Sequence, residues 1–236
     1  TPVAVRGPII ALRRLGIAVA AKELVERGML SVEMLDTLSA AIARKRSIVV
    51  GGPGGSGVTT LLGSLAGLAT ATERLVTVED SADLAISHPH VLSLAAGGAR
   101  SGIGLRELLE QACRLRADRL VVDGVRGPEA FDALTAMAGP HPGAVVGIQT
   151  PSDRTPLAHL EILARLRGAS SDVALAQLIA AAVHVVVQGR RDTDGIRRVT
   201  SIAEVTGARG NTVQTQDIFV YDGVVFKSTG RPATFI

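Results

Sequence analysis

A glycine-rich stretch in the first third of the chain has the residue types of a phosphate-binding loop. Residues 49–62 read VVGGPGGSGVTTLL and match the pattern G-x-x-x-x-G-K-[ST] everywhere except at the lysine. Glycines let backbone N–H groups converge on phosphate oxygens, and the helix that follows directs its positive end there. The alternative is a glycine-rich turn from strand to helix that binds nothing. The candidate nucleotide-binding residues are Gly52, Gly54, Gly55, Ser56, Gly57, Val58, Thr59 and Thr60.

The position of the missing lysine is occupied by Val58, which carries no charge. A hydrogen bond to a charged group contributes about 1.5–3 kcal/mol, so we expect nucleotide affinity to be weakened roughly ten- to hundredfold. Lys45 and Arg46 come before the preceding strand, about 13 Å away along it, and therefore lie at its wrong end. An arginine from elsewhere in the chain or from a neighbouring subunit remains as a substitute.

Acidic residues follow two other hydrophobic segments. Asp123 ends RLVVD and would hold Mg²⁺ together with Thr59, while Glu79 and Asp80 end RLVTVED and would position a water or the metal. For each of these acids the alternative is a helix-capping role. Arg126, just after Asp123, is a candidate for binding phosphate or a subunit interface, with a structural salt bridge as the alternative.

Hydrophobic periodicity predicts strands that alternate with helices and then a series of hairpins. This order indicates an α/β fold with a mostly parallel sheet flanked by helices and an antiparallel extension from Val183 onward. Ligands in such sheets bind beyond the carboxyl ends of the strands, where the glycine loop, the acidic residues and Gln149 all fall. The predicted helices are 21–28, 31–45, 59–69, 105–116, 128–138, 156–167 and 172–182. The predicted strands are 47–52, 74–80, 90–96, 118–124, 143–150, 184–188, 196–205, 212–221 and 224–228, with two short ones within 3–15.

Composition excludes several classes of protein. The 236 residues carry a net charge of +3 and include one tyrosine, four phenylalanines and no tryptophan, so stacking platforms for nucleic acid are not expected. The single cysteine, Cys113, forms no disulfide framework and suits a reducing compartment. The longest apolar stretch, 173–187, is too short and too polar for a spanning helix. Because the chain begins at Thr1, we expect it to be part of a longer protein.

Six segments, in this order, resemble those of secretion ATPases, above all the CpaF-type ATPases of Tad/Flp pilus assembly, over about residues 9–230. They are GGPGGSGVTTLL, RLVTVEDSADL, PHVLSL, RLRADRLVVDGVRGPEAFDAL, LAHLE and RRVTSIAEVTG. The resemblance implies a RecA-like P-loop NTPase motor domain over 21–236, preceded by the tail of an N-terminal domain and a linker over 1–20. It also implies ATP or ADP with Mg²⁺, a hexameric ring peripheral to the cytoplasmic face of the inner membrane, platform proteins as partners and no nucleic acid.

The family's functional residues carry over unevenly. The acidic box is kept as Glu79 and Asp80, and the family's arginines are kept as Arg114, Arg116 and Arg126. The family's catalytic glutamate falls on Gly124, and of its two histidines one is kept as His141 and the other falls on Gln149. Asp123 stands one residue before the glutamate position, which would turn it to the other face of the strand unless Gly124 lets the backbone turn.

The losses affect chemistry more than scaffold, and they favour a weakly hydrolytic or non-hydrolytic ring component with a structural or regulatory role. The competing hypothesis is an active motor in which an arginine replaces the lysine and Asp123 or Glu79 positions the water. A third hypothesis is a mixed ring with a competent paralogue.

Overall fold

A nine-stranded sheet organises the computed structural model, which describes residues 16–97, 102–151, 155–168 and 171–236. The strands lie in the order β3-β2-β4-β5-β1-β6-β7-β8-β9. The strands are β1 (Ile48–Gly52), β2 (Leu75–Glu79), β3 (Val91–Ala95), β4 (Arg119–Val125), β5 (Val145–Gln149), β6 (Val185–Arg191), β7 (Arg197–Arg209), β8 (Thr212–Tyr221) and β9 (Phe226–Ser228). The predicted strands at 3–15 fall outside the described residues.

The first six strands are parallel, which confirms the predicted α/β class. Their central members are short apolar runs buried on both faces, as parallel strands covered by helices require. The glycine loop leaves β1 between β5 and β6. All six carboxyl ends therefore meet at one edge of the sheet, where the sequence places its candidate site.

Seven helices in the described ranges cover the two faces of the sheet. They are α1 (Ala21–Glu26), α2 (Val32–Ala43), α3 (Val58–Ala66), α4 (Leu105–Arg114), α5 (Glu129–Ala138), α6 (Pro156–Arg165) and α7 (Asp172–Ala182). The first three pack in one apolar cluster and the other four in a second cluster on the opposite face. No described helix has the length and apolar character needed to cross a membrane. The proposed division of the chain at residue 20 stays a prediction.

The C-terminal strands extend the sheet in antiparallel fashion, as predicted. The difference is one of length: β7 continues to Arg209, beyond the predicted end at residue 205, because Thr212 and its successors pair with it across a two-residue turn. Since β6 is parallel to β1 and β7 returns antiparallel, the turn between them lies at the same edge as the glycine loop.

A buried arginine ties together the opposite edge of the sheet, where the parallel strands begin. Arg119 at the start of β4 is fully buried and donates from Nε to Glu73 at 3.0 Å. It also donates to the carbonyl oxygens of Gly143 at 2.6 Å and of Ile42 at 3.0 Å. One guanidinium therefore joins β4 to the end of α2 and to the loops before β2 and β5, which fixes the base on which the candidate site stands.

Candidate functional site

A cavity of about 440 Å³ opens at the carboxyl edge of the parallel strands. It brings together most of the residues that the sequence singles out, drawn from the ends of β1, β2, β4 and β5. The predicted residues that line it are Gly52, Gly54, Gly55, Ser56, Gly57, Val58, Thr59, Thr60, Asp80, Asp123, Gly124, Arg126 and Gln149.

The loop after β1 has the backbone of an anion cradle. Gly57 is the N-cap of α3 with φ of 90°, and Gly55 has φ of 83°, conformations that favour glycine. No side chain caps α3, so its first N–H groups and its positive end face the cavity. The Ser56 hydroxyl is buried without a hydrogen-bond partner among the described residues. The loop therefore offers donors suited to phosphate oxygens.

Neighbouring atoms also leave no room for a side chain at two positions of this loop. A Cβ on Gly52 would lie 2.4 Å from the carbonyl oxygen of Gly189 on β6. A Cβ on Gly57 would lie 2.9 Å from Cδ of Arg197. The second of these close contacts involves Arg197, which lines the cavity and was not among the residues predicted from the sequence.

Val58 packs inward from the first turn of α3. A Cγ of Val58 lies 3.3 Å from the point where a Cβ on Gly147 of β5 would be, so the side chain sits against the sheet. Lys45 lies at the opposite edge, where its Nζ donates to the carbonyl oxygen of Asp118 and is 3.8 Å from Glu73. This confirms that Lys45 does not replace the missing charge.

Asp123 reaches the glycine loop and accepts a hydrogen bond from the Thr59 hydroxyl. The reason is strand alternation: Asp123 is two residues after Val121, which packs on the face that α3 covers. Gly124, with φ of 89°, forms a bulge in β4 that comes after Asp123. The bulge moves Val125 to the opposite face of the sheet and is not the reason that Asp123 faces the glycine loop. Burial raises the pKa of Asp123, against the lowering effect of the Thr59 hydrogen bond.

Glu79 and Asp80 have separate environments although they are adjacent. The Glu79 carboxylate is buried, and burial raises its pKa. Its oxygens accept hydrogen bonds from the Thr77 hydroxyl at 2.9 Å and from the Leu84 amide at 2.8 Å, and the second bond holds the chain that follows β2. It does not line the cavity, whereas Asp80 does. Asp80 forms an ion pair with Arg126 at 3.2 Å. The geometry thus favours Asp123 over Glu79 as the acid of the site.

Three predicted residues lie away from the cavity. Arg114 ends α4 and Arg116 follows it, so both are exposed at the edge where β4 begins. Neither can bind phosphate in this subunit's own cavity, which leaves the predicted role at a subunit interface. His141 is also at that edge, before β5, with both ring nitrogens buried and unbonded within the described chain. These positions exclude the three residues from the site of their own subunit, which corrects the expectation from the sequence. The reason is topology: a helix that returns to a parallel sheet ends at the edge opposite the ligand.

Gln149 does lie at the cavity, as its position at the end of β5 predicts. Its Nε2 is 2.9 Å from the point where a Cβ on Gly54 would be, so the amide lies over the glycine loop. An amide can orient a phosphate or a water but cannot transfer a proton near neutral pH.

Arg197 is the functional candidate that sequence reasoning missed. It begins β7, lines the cavity and donates from Nε to the carbonyl oxygen of Gly55 at 3.0 Å. A sequence signal existed: Arg197 is the first strand residue after the DTDG turn and the first residue of the motif RRVTSI. The sequence does not show that β6 pairs with β1, and this pairing brings the turn beside the glycine loop.

Comparison with known proteins places this geometry in a family. The model of the family described as Type II/IV secretion system protein matches residues 1–203, most of the chain. The chain belongs to this family. The match covers the glycine loop, the two acid-bearing strand ends and Arg197.

Relatives of this secretion family include conjugation proteins. The chain is 37% identical over 219 residues to a putative conjugal transfer protein of Mycobacterium tuberculosis (strain ATCC 25618 / H37Rv), covering 89% of this chain and 60% of the relative. It is 31% identical over 219 residues to the conjugal transfer protein TrbB of Rhizobium radiobacter, covering 91% and 66%. The chain thus spans somewhat under two thirds of the length of these curated relatives.

Solved structures share the fold. The crystal structure of the VirB11 ATPase from the Brucella suis type IV secretion system, in complex with sulphate, has a TM-score of 0.65 and 26% identity over 78% of this chain and 54% of that one. The pilus retraction motor PilT with bound ADP has a TM-score of 0.62 at 19% identity, over 80% and 53% of the two chains, and supports the fold alone.

The residues of this secretion-family cavity fit a magnesium nucleotide. The loop N–H groups and the unpartnered Ser56 hydroxyl would hold phosphate oxygens, while Thr59 and Asp123 present adjacent oxygens of the kind that Mg²⁺ prefers. Bound Mg²⁺ would neutralise phosphate charge. The chain's own contribution would be to hold the phosphates by backbone dipoles and to orient the metal through the Thr59–Asp123 pair.

Proposed function

We propose that the chain is the RecA-like domain of a CpaF-type ATPase of Tad/Flp pilus assembly that binds magnesium nucleotide and hydrolyses ATP weakly or not at all. The family supports a secretion ATPase, while the CpaF-type branch rests on the motifs VRGPEAFDAL and RRVTSI. The role is then structural or regulatory: nucleotide occupancy sets the shape of a ring component.

The combined state of positions 58 and 124 carries the proposal of weak hydrolysis. Val58 offers no charge to the phosphates, and a side chain at Gly124 would collide with Asp80, since a Cβ there would lie 2.7 Å from the Asp80 Cβ. Loss of one group that stabilises transition-state charge commonly costs about 10²–10³ in rate. Two such losses need not multiply, but phosphoryl transfer depends on charge stabilisation, and neither of these two positions supplies any.

Retained binding is supported by the parts of the site that need no side-chain charge. The positive φ of Gly55 and Gly57, the uncapped start of α3 and the Thr59–Asp123 hydrogen bond are all in place. Backbone amides and a helix terminus bind phosphate without a lysine, at lower affinity.

An active motor with a non-standard site is the second candidate. The observation in its favour is Arg197, a cation that lies on the glycine loop, together with an acid, Asp123, beside Thr59. In that case the ring would convert ATP hydrolysis into pilus assembly or protein secretion.

The assembly we propose is a homo-hexamer, or a mixed ring with a competent paralogue, peripheral to the cytoplasmic face of the inner membrane and bound to platform proteins. Exposed Arg114 and Arg116, remote from the chain's own cavity, are suited to a neighbour's site or surface. Isolation under native conditions distinguishes the two rings, since only the mixed ring retains a second ATPase that keeps the loop lysine.

Binding and turnover measured on the same preparation of the 236-residue chain test the proposal. We expect saturable binding of Mg·ADP by calorimetry and phosphate release from Mg·ATP no faster than in a Thr59→Val/Asp123→Asn control. That control removes the Thr59 hydroxyl and the negative charge of Asp123 from the metal site, so phosphate release that it retains in full does not come from this site. Val58→Lys should tighten ADP binding by about ten- to hundredfold.

Two outcomes contradict the proposal in different ways. Failure of the unaltered chain to bind either nucleotide would remove the nucleotide-binding role altogether. Turnover of about 1 s⁻¹ or faster, the range of ordinary enzymes, that disappears in the control variant would establish the motor instead.

A further inference from the structure

Arg197 occupies a place that the strand order creates. β6 pairs with β1 in parallel and ends at the cavity edge, and the hairpin turn then starts β7 directly beside the glycine loop. The Arg197 side chain runs along that loop: Nε is 3.0 Å from the carbonyl oxygen of Gly55, and Cδ is 2.9 Å from the point where a Cβ on Gly57 would be. Its base is thus fixed against the two glycines that shape the cradle.

Three other arginines near this turn have partners: Arg191 donates from Nε to the carbonyl oxygen of Gly195 at 3.2 Å, and the other two pair with carboxylates. Arg198 forms ion pairs with Asp192 at 3.3 Å and Asp194 at 2.6 Å, and Arg190 pairs with Asp192 at 3.6 Å. No described carboxylate pairs with Arg197, whose side chain is exposed to the cavity. Its two terminal guanidinium nitrogens therefore remain as donors while Nε anchors the side chain.

The charges around the cavity favour a role for this cation in binding an anion. Three carboxylates line it, those of Asp80, Asp83 and Asp123, against two guanidiniums, those of Arg126 and Arg197. Arg126 already pairs with Asp80. Among the described residues, Arg197 is then the one lining cation without an acidic partner, and its side chain lies against the loop that would cradle the phosphates.

We propose that Arg197 supplies the positive charge to the nucleotide phosphates that Val58 does not. The inference rests on the nucleotide binding proposed above. A guanidinium is always charged and presents several donors in one plane, so it can keep its bond to Gly55 and bind phosphate oxygens with its remaining N–H groups. A phosphate loop without lysine thereby recovers a cation from the neighbouring hairpin.

Nucleotide affinity measured by calorimetry, with Mg·ADP and Mg·ATP as the probes, tests this role. Arg197→Ala should weaken binding about ten- to hundredfold, as expected for the loss of a charged hydrogen bond. Arg190→Ala is the matched control, since Arg190 is an exposed arginine of the same hairpin outside the cavity lining. The nucleotide affinity of this variant should stay within about twofold of that of the unaltered chain, because the loss of an exposed ion pair has a small effect.

A second-site rescue separates charge from loop support. In Arg197→Ala/Val58→Lys the charge returns from the α3 side while the contact to Gly55 stays absent. A gain in affinity from Val58→Lys that is larger in this background than in the unaltered chain supports a charge role. Arg197→Gln tests the converse: its amide can still donate to Gly55 but is neutral, and we expect binding as weak as in Arg197→Ala. This variant also carries the test if the alanine variant does not fold, as judged by thermal melting.

Each result has one meaning. Affinity unchanged in Arg197→Ala, or fully retained in Arg197→Gln, overturns the charge role and leaves Arg197 as a structural support of the loop. An equal gain from Val58→Lys in both backgrounds, with normal binding by the glutamine variant, has the same meaning. Absence of binding in the unaltered chain overturns instead the nucleotide-binding function on which the inference rests.

Discussion

A side chain added at Gly124 would collide with Asp80 at the neighbouring strand end. Its ideal Cβ lies 2.7 Å from the Cβ of Asp80 and 3.5 Å from the Asp80 nitrogen, whereas carbon atoms pack at about 3.5–4.0 Å. Asp80 cannot easily retreat, because its amide donates to the carbonyl oxygen of Asp123 at 3.2 Å. Gly124→Ala therefore tests whether this position can bear the carboxylate that the family places there.

Two costs add at this position. Holding a residue with a Cβ at the φ of 89° found for Gly124 costs about 1–2 kcal/mol, and forcing an extra carbon into a packed site typically costs about 1–3 kcal/mol more. We expect Gly124→Ala to lower the free energy of unfolding by about 2–5 kcal/mol. Gly28 has φ of 69° with nothing within 4 Å of its Cβ position, so Gly28→Ala should lose only the first part.

Urea denaturation of a double-mutant cycle isolates the clash. Asp80→Gly removes the obstructing Cβ, so Gly124→Ala should cost about 1–3 kcal/mol less in that background. If Gly124→Ala is no more destabilising than Gly28→Ala, or if Asp80→Gly changes nothing, the steric argument is wrong. Because of the same clash, we expect that Gly124→Glu alone does not restore hydrolysis.

Three further predictions concern the sheet and the acids. Arg119→Met should lower the free energy of unfolding by about 3–5 kcal/mol in urea, since Glu73 is left without its buried partner, and Glu73→Gln in that background should recover part of it. Asp123→Asn should stabilise the fold, because burial raises the native pKa of Asp123 above the unfolded value of about 3.9. Ionisation of Asp123 therefore lowers the free energy of unfolding above that pH. The stability advantage of the variant should appear as the pH rises from 4 and should then level off. An advantage that grows toward low pH would have the wrong sign. His141→Ala should leave the dissociation constant for Mg·ADP unchanged in calorimetry, because His141 lies at the opposite edge of the sheet; a tenfold loss would place it in the site.

Sequence patterns were sufficient for the scaffold because they are local. The apolar runs before Gly51 and Asp123 and the helical periodicity between them predict a parallel sheet with covered faces. Strand boundaries were less accurate where pairing decides them, as in β7, whose last residues form strand only because β8 lies beside them.

Site membership was predictable only for residues at strand ends. Gln149 and Asp123 lie at the carboxyl edge by chain direction alone, and both line the cavity. Arg114 and His141 matched family motifs, but motif order carries no information about which edge of the sheet a loop reaches. Their placement follows from the connection, in which a helix runs back and delivers its end to the amino edge of the next strand.

The sequence by itself determined the backbone chemistry of this protein: a glycine loop between strand and helix, an acid two residues after a buried valine, and the absence of a charge at position 58. The tertiary structure decided which distant groups join them. Pairing of β6 with β1 brings Arg197 onto the loop across 142 residues of sequence, and packing of Asp80 against Gly124 closes the position of the lost carboxylate. Both depend on contacts between segments far apart in the chain, which no local pattern of residue types specifies.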